Sequence, residues 1–250
     1  MSKVMLITGA SRGIGAATAR LAALRGYDVA VNYARDKTAA EAVVAEVRAA
    51  GRKAVTIQAD VGNPDQIIRL FKALDAEFGQ LDAFFNNAGI LDRAAKFVDI
   101  PVDRLQRILA VNTVGAYVAA QEAVRRMSTR LGGRGGVIVN MSSMAAKLGG
   151  PNEGTDYAAS KGAVDTLTIG LAKELASEGI RVNGVRPGLI DTDIQRDTGI
   201  PDRVERNKPL VPMQRGGTAE EVAEAVLWLC SDQSSYCTGV ILDVSGGRGI

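Results

Sequence analysis

The stretch KVMLITGASRGIG, residues 3–15, decides the fold. An apolar run of strand character (KVMLIT, 3–8) passes directly into three closely spaced glycines, and a helical pattern runs from Gly13 to about Arg25. Each glycine has a separate job in that setting. Gly9 permits a tight turn, Gly13 lets backbone come close to a pyrophosphate, and Gly15 lets the helix pack closely on the sheet. Exposed amides and the positive end of the helix then favour a phosphate at the helix N-terminus. An ordinary turn rich in small residues would read the same way in isolation. Its position after the first strand of an alternating chain favours a dinucleotide.

Beyond this turn the alternation continues to the last residues. DVAVNY (28–33) leads to a helix through Ala50, and KAVTIQA (53–59) to a helix over Pro64–Phe78, with Asn63 as N-cap and Pro64 as first helical residue. LDAFFNN (81–87) precedes a long helical stretch from about Val102 to Leu131. GVIVNMS (136–142) and IRVNGVRP (180–187) flank a further helix, and GVILDVS (239–245) follows one over Ala219–Cys230. Strands such as Val137-Ile138-Val139 are continuous apolar runs, as expected when helices cover both faces. The pattern predicts an α/β fold: one doubly wound, Rossmann-like parallel sheet of about seven strands in a single domain over residues 1–250. There is no internal repeat and no linker.

Composition removes several classes. The 250 residues are 46% hydrophobic, and 30 Lys and Arg against 28 Asp and Glu leave a net charge of +2. Basic groups such as Arg125-Arg126 are interrupted by apolar residues, which speaks against a nucleic-acid partner. The N-terminus has no signal-peptide pattern, and no apolar run approaches the ~18 residues of a spanning helix, so a cytoplasmic chain with no membrane partner is expected. Cys230 and Cys237 form no zinc or disulfide pattern; Cys230, in AVLWLC, reads as a buried thiol, and no metal is expected.

Histidine is absent altogether, so proton transfer would need another carrier. DYAASKGAVDTL (156–167) offers one: Tyr157 and Lys161 share a helix face at i and i+4. A nearby ammonium favours phenolate, so Lys161 is expected to lower the pKa of Tyr157 towards the working range. A packed tyrosine beside a solvated lysine is the plain alternative. Ser143, at the end of the fifth strand and fourteen residues before Tyr157, adds a hydroxyl able to stabilise charge on a substrate oxygen. Ser142 is adjacent and competes for that role.

The spacing Gly-x-x-x-Gly-x-Gly in TGASRGIG (8–15), with NNAG (86–89), YAASK (157–161) and RPG (186–188) in that order, resembles the short-chain dehydrogenase/reductase family over essentially the whole chain. The resemblance implies hydride transfer between NADP(H) or NAD(H) and a carbonyl or alcohol. It implies a tetrad of Asn112, Ser143, Tyr157 and Lys161, with the second serine as the catalytic one. Lys161 would also hold the nicotinamide ribose, and Asn112 would support a water linking the lysine to solvent. Asn112 lies mid-helix, where Asn is a poor helix former, so a buried amide at a local kink is the other reading.

Cofactor contacts follow in the same way. Gly9, Ser11, Arg12, Gly13, Ile14 and Gly15 form the phosphate turn, and Asp60-Val61 resembles the adenine-contacting pair, or a simple approach to the next helix. Asn87, Ala88 and Gly89 leave room where the fourth strand ends, whereas Asn86 reads as structural. Pro187, Gly188 and Thr192 match contacts to the nicotinamide end. An NAD site places an acid about twenty residues beyond the glycine turn. Here the second strand ends on Tyr33, with Arg12 and Arg35 placed to meet a 2′-phosphate, so NADP(H) is expected; Asp36 swinging in would serve NAD instead.

The irregular, charged segment over 189–212 corresponds to the family's substrate lid and does not name a small-molecule substrate. The 3-oxoacyl-(acyl carrier protein) reductases and sugar or small-alcohol dehydrogenases look similar. Arg134 is a candidate base at the pocket mouth for an acidic carrier, whereas Glu178 would oppose one. A regulator that binds NADP(H) without chemistry would show a damaged tetrad. Apolar positions such as Val114, Tyr117 and Val118 need cover, and the family's matching helices pair in homotetramers.

Overall fold

The computed structural model describes residues 2–192, 199–200 and 202–249. Strands and helices alternate as β1 (Lys3–Ile7), α1 (Gly13–Leu24), β2 (Tyr27–Tyr33), α2 (Lys37–Ala49), β3 (Ala54–Gln58), α3 (Pro64–Phe78) and β4 (Ala83–Asn86). The second half continues with α4 (Val102–Leu109), α5 (Ala116–Met127), β5 (Gly136–Met141), α6 (Ala145–Leu148), α7 (Thr155–Leu175), β6 (Ile180–Pro187), α8 (Arg203–Asn207), α9 (Ala219–Cys230) and β7 (Ile241–Val244). The strands form one parallel sheet in the order β3-β2-β1-β4-β5-β6-β7. This is the doubly wound Rossmann-like arrangement expected from the sequence.

Period-two alternation divides each central strand between two cores. Met5, Ile7, Val29 and Val31 face the layer of α1, α2 and α9, where Ala19, Val43 and Val226 lie. Val4, Leu6, Ala30 and Phe84 face the other layer, meeting Leu70 and Phe71 of α3, Ala123 of α5 and Leu175 of α7. Both faces are covered, which explains the continuous apolar runs. The helix ends carry the expected chemistry. Asn63 accepts from Gln66 N at 3.2 Å with Pro64 behind it, and Thr218 and Glu221 form a reciprocal capping box at the start of α9.

The single helix expected over 102–131 is divided. α4 passes through a π-helical turn over Ala110–Gly115 into α5, and a 3-10 turn over Thr129–Leu131 follows. At Gly115 an added Cβ would fall 2.3 Å from the Val61 carbonyl oxygen, so the turn presses on the loop after β3. A π-bulge re-aims the side chains within it. Here it directs Asn112 into the interior, where Oδ1 accepts from Ile90 N at 2.8 Å and Nδ2 donates to Ile90 O at 2.9 Å. The buried amide at a kink is therefore present.

Strand order reverses between β2 and β4 on either side of β1, opening a crevice at the carboxyl ends of these strands. Among the described residues no helix is long and apolar enough to cross a membrane.

Candidate active site

The glycine turn is held on both sides by the strands it leaves. Asn32 Oδ1 of β2 accepts from Gly9 N at 3.2 Å. Just past β4, Asn87 Nδ2 donates to Thr8 O at 2.8 Å and Gly9 O at 3.0 Å, while Thr8 Oγ1 accepts from the amides of Asn87 and Ala88, both at 3.0 Å. Gly9 and Gly13 have φ of 62° and 55°, a conformation costly for other residues. At Gly15 a Cβ would fall 2.5 Å from Gly9 O, so the close approach expected there is made to the turn itself. α1 begins at Gly13, after Arg12 as N-cap, with no acid in its first turn, leaving its amide end suited to an anion. Thr192 lies across the turn, 3.8 Å from where a Gly13 Cβ would be. Asn87 is thus a brace of the turn as well as a neighbour of the crevice.

Around the adenosine side, Tyr33 is buried at the end of β2 and Arg35 is exposed just beyond it. Asp36 caps α2, accepting from Ala39 N at 2.9 Å, so its carboxylate already serves a helix. Asp60 is exposed after β3 and accepts from Gly62 N at 2.8 Å, beside buried Val61. Asn86 is structural, as expected: its Nδ2 donates to Ala116 O at 2.9 Å and Asn140 Oδ1 at 3.0 Å. A turn of backbone amides with an acid-free helix end behind it fits a dinucleotide pyrophosphate, and small residues at 88 and 89 fit its passage over the strand ends.

Four polar side chains meet where β4 and β5 end. Lys161, 3% exposed, donates from Nζ to Met141 O at 2.8 Å and lies 5.7 Å from the centre of the Tyr157 ring. A Cβ at Gly89 would fall 3.2 Å from Lys161 Nζ and 3.4 Å from Asn112 Oδ1, so Gly89 is the floor between them. Asn112 Nδ2 donates to Ser160 Oγ at 3.1 Å, and Ser160 Oγ donates to Tyr157 O at 2.7 Å. The two serines separate clearly. Ser142 is buried and donates to Lys161 O at 3.2 Å, whereas Ser143 accepts from Ala145 N at 3.1 Å and its hydroxyl is near enough to favour the ionised Tyr157 phenol.

The electrostatics correct one expectation. Burial pushes the Tyr157 phenol above its ordinary value, opposed by the Ser143 hydroxyl and then by the charge of Arg203. Lys161 is not among the groups lowering it. Burial also drives the Lys161 ammonium down to about 8, with Asp165 opposing. Desolvation penalises the charged form of both groups, and it outweighs the opposing effects of Ser143 and Arg203 on the phenol and of Asp165 on the ammonium.

Several neighbours had no signal of their own in the sequence. Arg104 of α4 forms a bidentate pair with Asp156, Nε to Oδ2 at 2.8 Å and Nη2 to Oδ1 at 3.1 Å, and donates from Nη1 to Arg93 O at 2.6 Å. Asp156 stands next to Tyr157, and only its place in DYAASK could have drawn notice. Arg203 opens α8 and pairs with Glu153. By contrast, Arg134 and Glu178 sit just before β5 and β6, at the end of the sheet opposite the crevice. Arg134 donates to Gln80 Oε1 and Glu178 accepts from Ser128, so neither borders the pocket mouth expected for them. In the segment expected as a lid, Leu189 and Ile190 are buried and α8 is helical; residues 193–198 and 201 lie outside the described residues.

A crevice with a glycine turn on one side and a Ser–Tyr–Lys–Asn cluster on the other defines an oxidoreductase of the nicotinamide-binding type. The family model described as enoyl-(acyl carrier protein) reductase matches residues 9–248. The chain is 50% identical to the uncharacterized oxidoreductase YgfF of Escherichia coli (strain K12) over 98% of this chain and 99% of that protein. A short-chain dehydrogenase from Burkholderia cenocepacia J2315, solved in complex with NADP, superposes with a TM-score of 0.92 at 36% identity, covering 99% of this chain and 98% of that one. The 3-ketoacyl-(acyl-carrier-protein) reductase of Brucella melitensis, complexed with NADH, gives 0.91 at 34% identity, covering 99% and 98%. This chain belongs to the short-chain dehydrogenase/reductase family.

Proposed function

We propose that this protein transfers a hydride between NADP(H) and a carbonyl or secondary-alcohol substrate, with Tyr157 as general acid and base. The observation that carries this reading is the placing of Lys161, with Nζ 5.7 Å from the centre of the Tyr157 ring and bonded to Met141 O, two residues before Ser143 at the end of β5. The dinucleotide, when bound, supplies or accepts the hydride. In reduction, Tyr157 Oη gives a proton to the carbonyl oxygen while Ser143 Oγ donates a hydrogen bond to the same atom. In oxidation Tyr157 removes the hydroxyl proton. Lys161, with its pKa near 8, exchanges a proton readily around neutrality, which suits a relay to Tyr157 beside Asn112.

Gly9, Ser11, Arg12, Gly13, Ile14 and Gly15 would hold the pyrophosphate, and Asp60 with Val61 the adenine. Asn87, Ala88 and Gly89 would line its path, and Pro187, Gly188, Thr192 and Lys161 would hold the nicotinamide ribose and ring. The NADP preference is supported by the absence of an acid at the end of β2 and by the engagement of Asp36 as a helix cap. Arg12 and Arg35 would meet the 2′-phosphate. The likeness to a 3-ketoacyl-(acyl-carrier-protein) reductase supports a 3-oxoacyl thioester as an alternative substrate. An intact tetrad speaks against a purely regulatory binder. A homotetramer formed through α5 and α7 completes the proposal. Incubation with NADPH and a panel of ketones and aldehydes, run in both directions, tests it: absence of turnover with every member would overturn the enzymatic reading.

A further inference from the structure

Asn32 stands between Val31 and Tyr33 in β2 and is 1% exposed, a polar side chain in an otherwise apolar stretch of strand. A buried amide needs partners for its acceptor and its two donors. Asn32 finds them on opposite sides. Towards β1, Oδ1 accepts from Gly9 N at 3.2 Å, and the residue's own carbonyl accepts from Ala10 N at 2.8 Å. Towards β3, Nδ2 donates to Ile57 O and Ala59 O, both at 3.1 Å.

These contacts fall where the sheet ladder ends. β1 and β2 pair as far as Ile7 with Val31, and β2 and β3 as far as Tyr33 with Gln58. Beyond those pairs the glycine turn leaves one strand, and Ala59, Asp60 and Val61 leave the other. The Asn32 side chain reaches both departing segments at once. An amide that needed only satisfaction could turn to one neighbouring strand; bonding both makes it a strut between them. Asp60 follows the held Ala59 carbonyl directly, and its own amide donates to Gln66 Oε1 at 2.9 Å, so this loop is fixed on its far side too. Two subsites held at a fixed spacing bind a two-part ligand more tightly than two left to drift, because less freedom is lost on binding.

We propose that Asn32 is a positioning residue of the cofactor site: it ties the glycine turn to the loop after β3 and so sets the spacing between the pyrophosphate and adenine subsites. This rests on the dinucleotide reading above and not on any substrate. ADP carries the adenine and the pyrophosphate without the nicotinamide, and NADH and NADPH both contain it. Nicotinamide fluorescence measures NADPH and NADH binding, and displacement of the tighter nucleotide measures ADP. Asn32→Ala should raise the Kd of that nucleotide and of ADP by the same factor, roughly tenfold, the scale of one lost buried hydrogen bond. Asn32→Asp keeps an acceptor for the Gly9 amide but offers no N–H to the β3 carbonyls, and should lose at least as much. With a carbonyl compound that is turned over, KM for the nucleotide should rise in step while kcat moves far less. Wild-type ADP affinity in either variant, or a nucleotide loss that ADP does not share, would overturn the strut. So would failure of both variants to fold, judged by circular dichroism, since Asn32 would then serve stability alone. Wild-type protein that binds a nucleotide but reduces no carbonyl compound sinks the proposed reaction and leaves the Asn32 comparison decisive. Wild-type protein that binds neither nucleotide nor ADP removes the cofactor site, and this role with it.

Discussion

Tyr157 and Lys161 illustrate how much the interior changes a side chain. In water they would titrate within half a unit of each other, near ~10 and ~10.4. In the crevice the phenol is pushed up and the ammonium down to about 8, because burial penalises charge on either. Removing the phenolic proton should therefore be decisive while the ring's packing remains. Tyr157→Phe is expected to lower turnover by about a hundredfold or more, with NADPH binding retained, the usual scale of a lost general acid. Activity within about tenfold of wild type would remove the tyrosine from this role. A second residue-scale prediction concerns the cofactor. Replacing Arg12 and Arg35 with alanine should weaken NADPH binding far more than NADH binding, since only NADPH carries the additional phosphate. Fluorescence titration with both nucleotides reads this directly, and equal losses would contradict the NADP assignment.

At the scale of elements, the catalytic helix α7 is tied to α4 by Arg104 and Asp156, whose side chains are 8% and 2% exposed. The same guanidinium holds the Arg93 carbonyl, so one residue anchors α4, the loop after β4 and the start of α7. Breaking one partner of such a pair leaves a buried charge unmatched. Arg104→Met should destabilise the fold by about 3–5 kcal/mol, measured by urea unfolding. Arg104→Met combined with Asp156→Leu should recover most of that loss, because the stranded carboxylate is gone. A single variant as stable as wild type would show that the pair contributes little. The π-turn between α4 and α5 is the companion element. It directs Asn112 to Ile90 and to Ser160, one residue before Lys161, so a helix defect serves the site.

For the whole molecule, α5 and α7 present an uncovered apolar groove. Tyr117 and Val124 on one helix and Leu167 and Leu171 on the other line it, and Tyr117 and Val114 are 51% and 48% exposed. A helix face of this kind calls for cover, and a second copy presenting the same face satisfies two-fold symmetry. Sedimentation velocity at micromolar concentration should show a homotetramer, and Tyr117→Glu should shift it to smaller species. A stable monomer for the wild type would refute this.

The order of strands and helices, the glycine turn and the Tyr–Lys pair were legible in the residues themselves, because hydrophobic period and turn chemistry are local properties. Asn63, Pro64, Gly9 and Gly15 each act within a few residues of chain. Asn86 could be read as structural for the same reason: its place at a strand end limits its partners. What local pattern does not carry is which distant groups converge. The break in the helix over 102–131 depends on Gly115 meeting Val61, and the choice between Ser142 and Ser143 depends on Ser142 being buried with its hydroxyl held by Lys161 O. The placement of Arg134 at the far end of the sheet follows from strand direction. The pKa order of Tyr157 and Lys161 and the Arg104–Asp156 pair were likewise decided only by folding. Burial and the energies of charge pairs belong to the assembled environment, since they depend on what displaces water around each group.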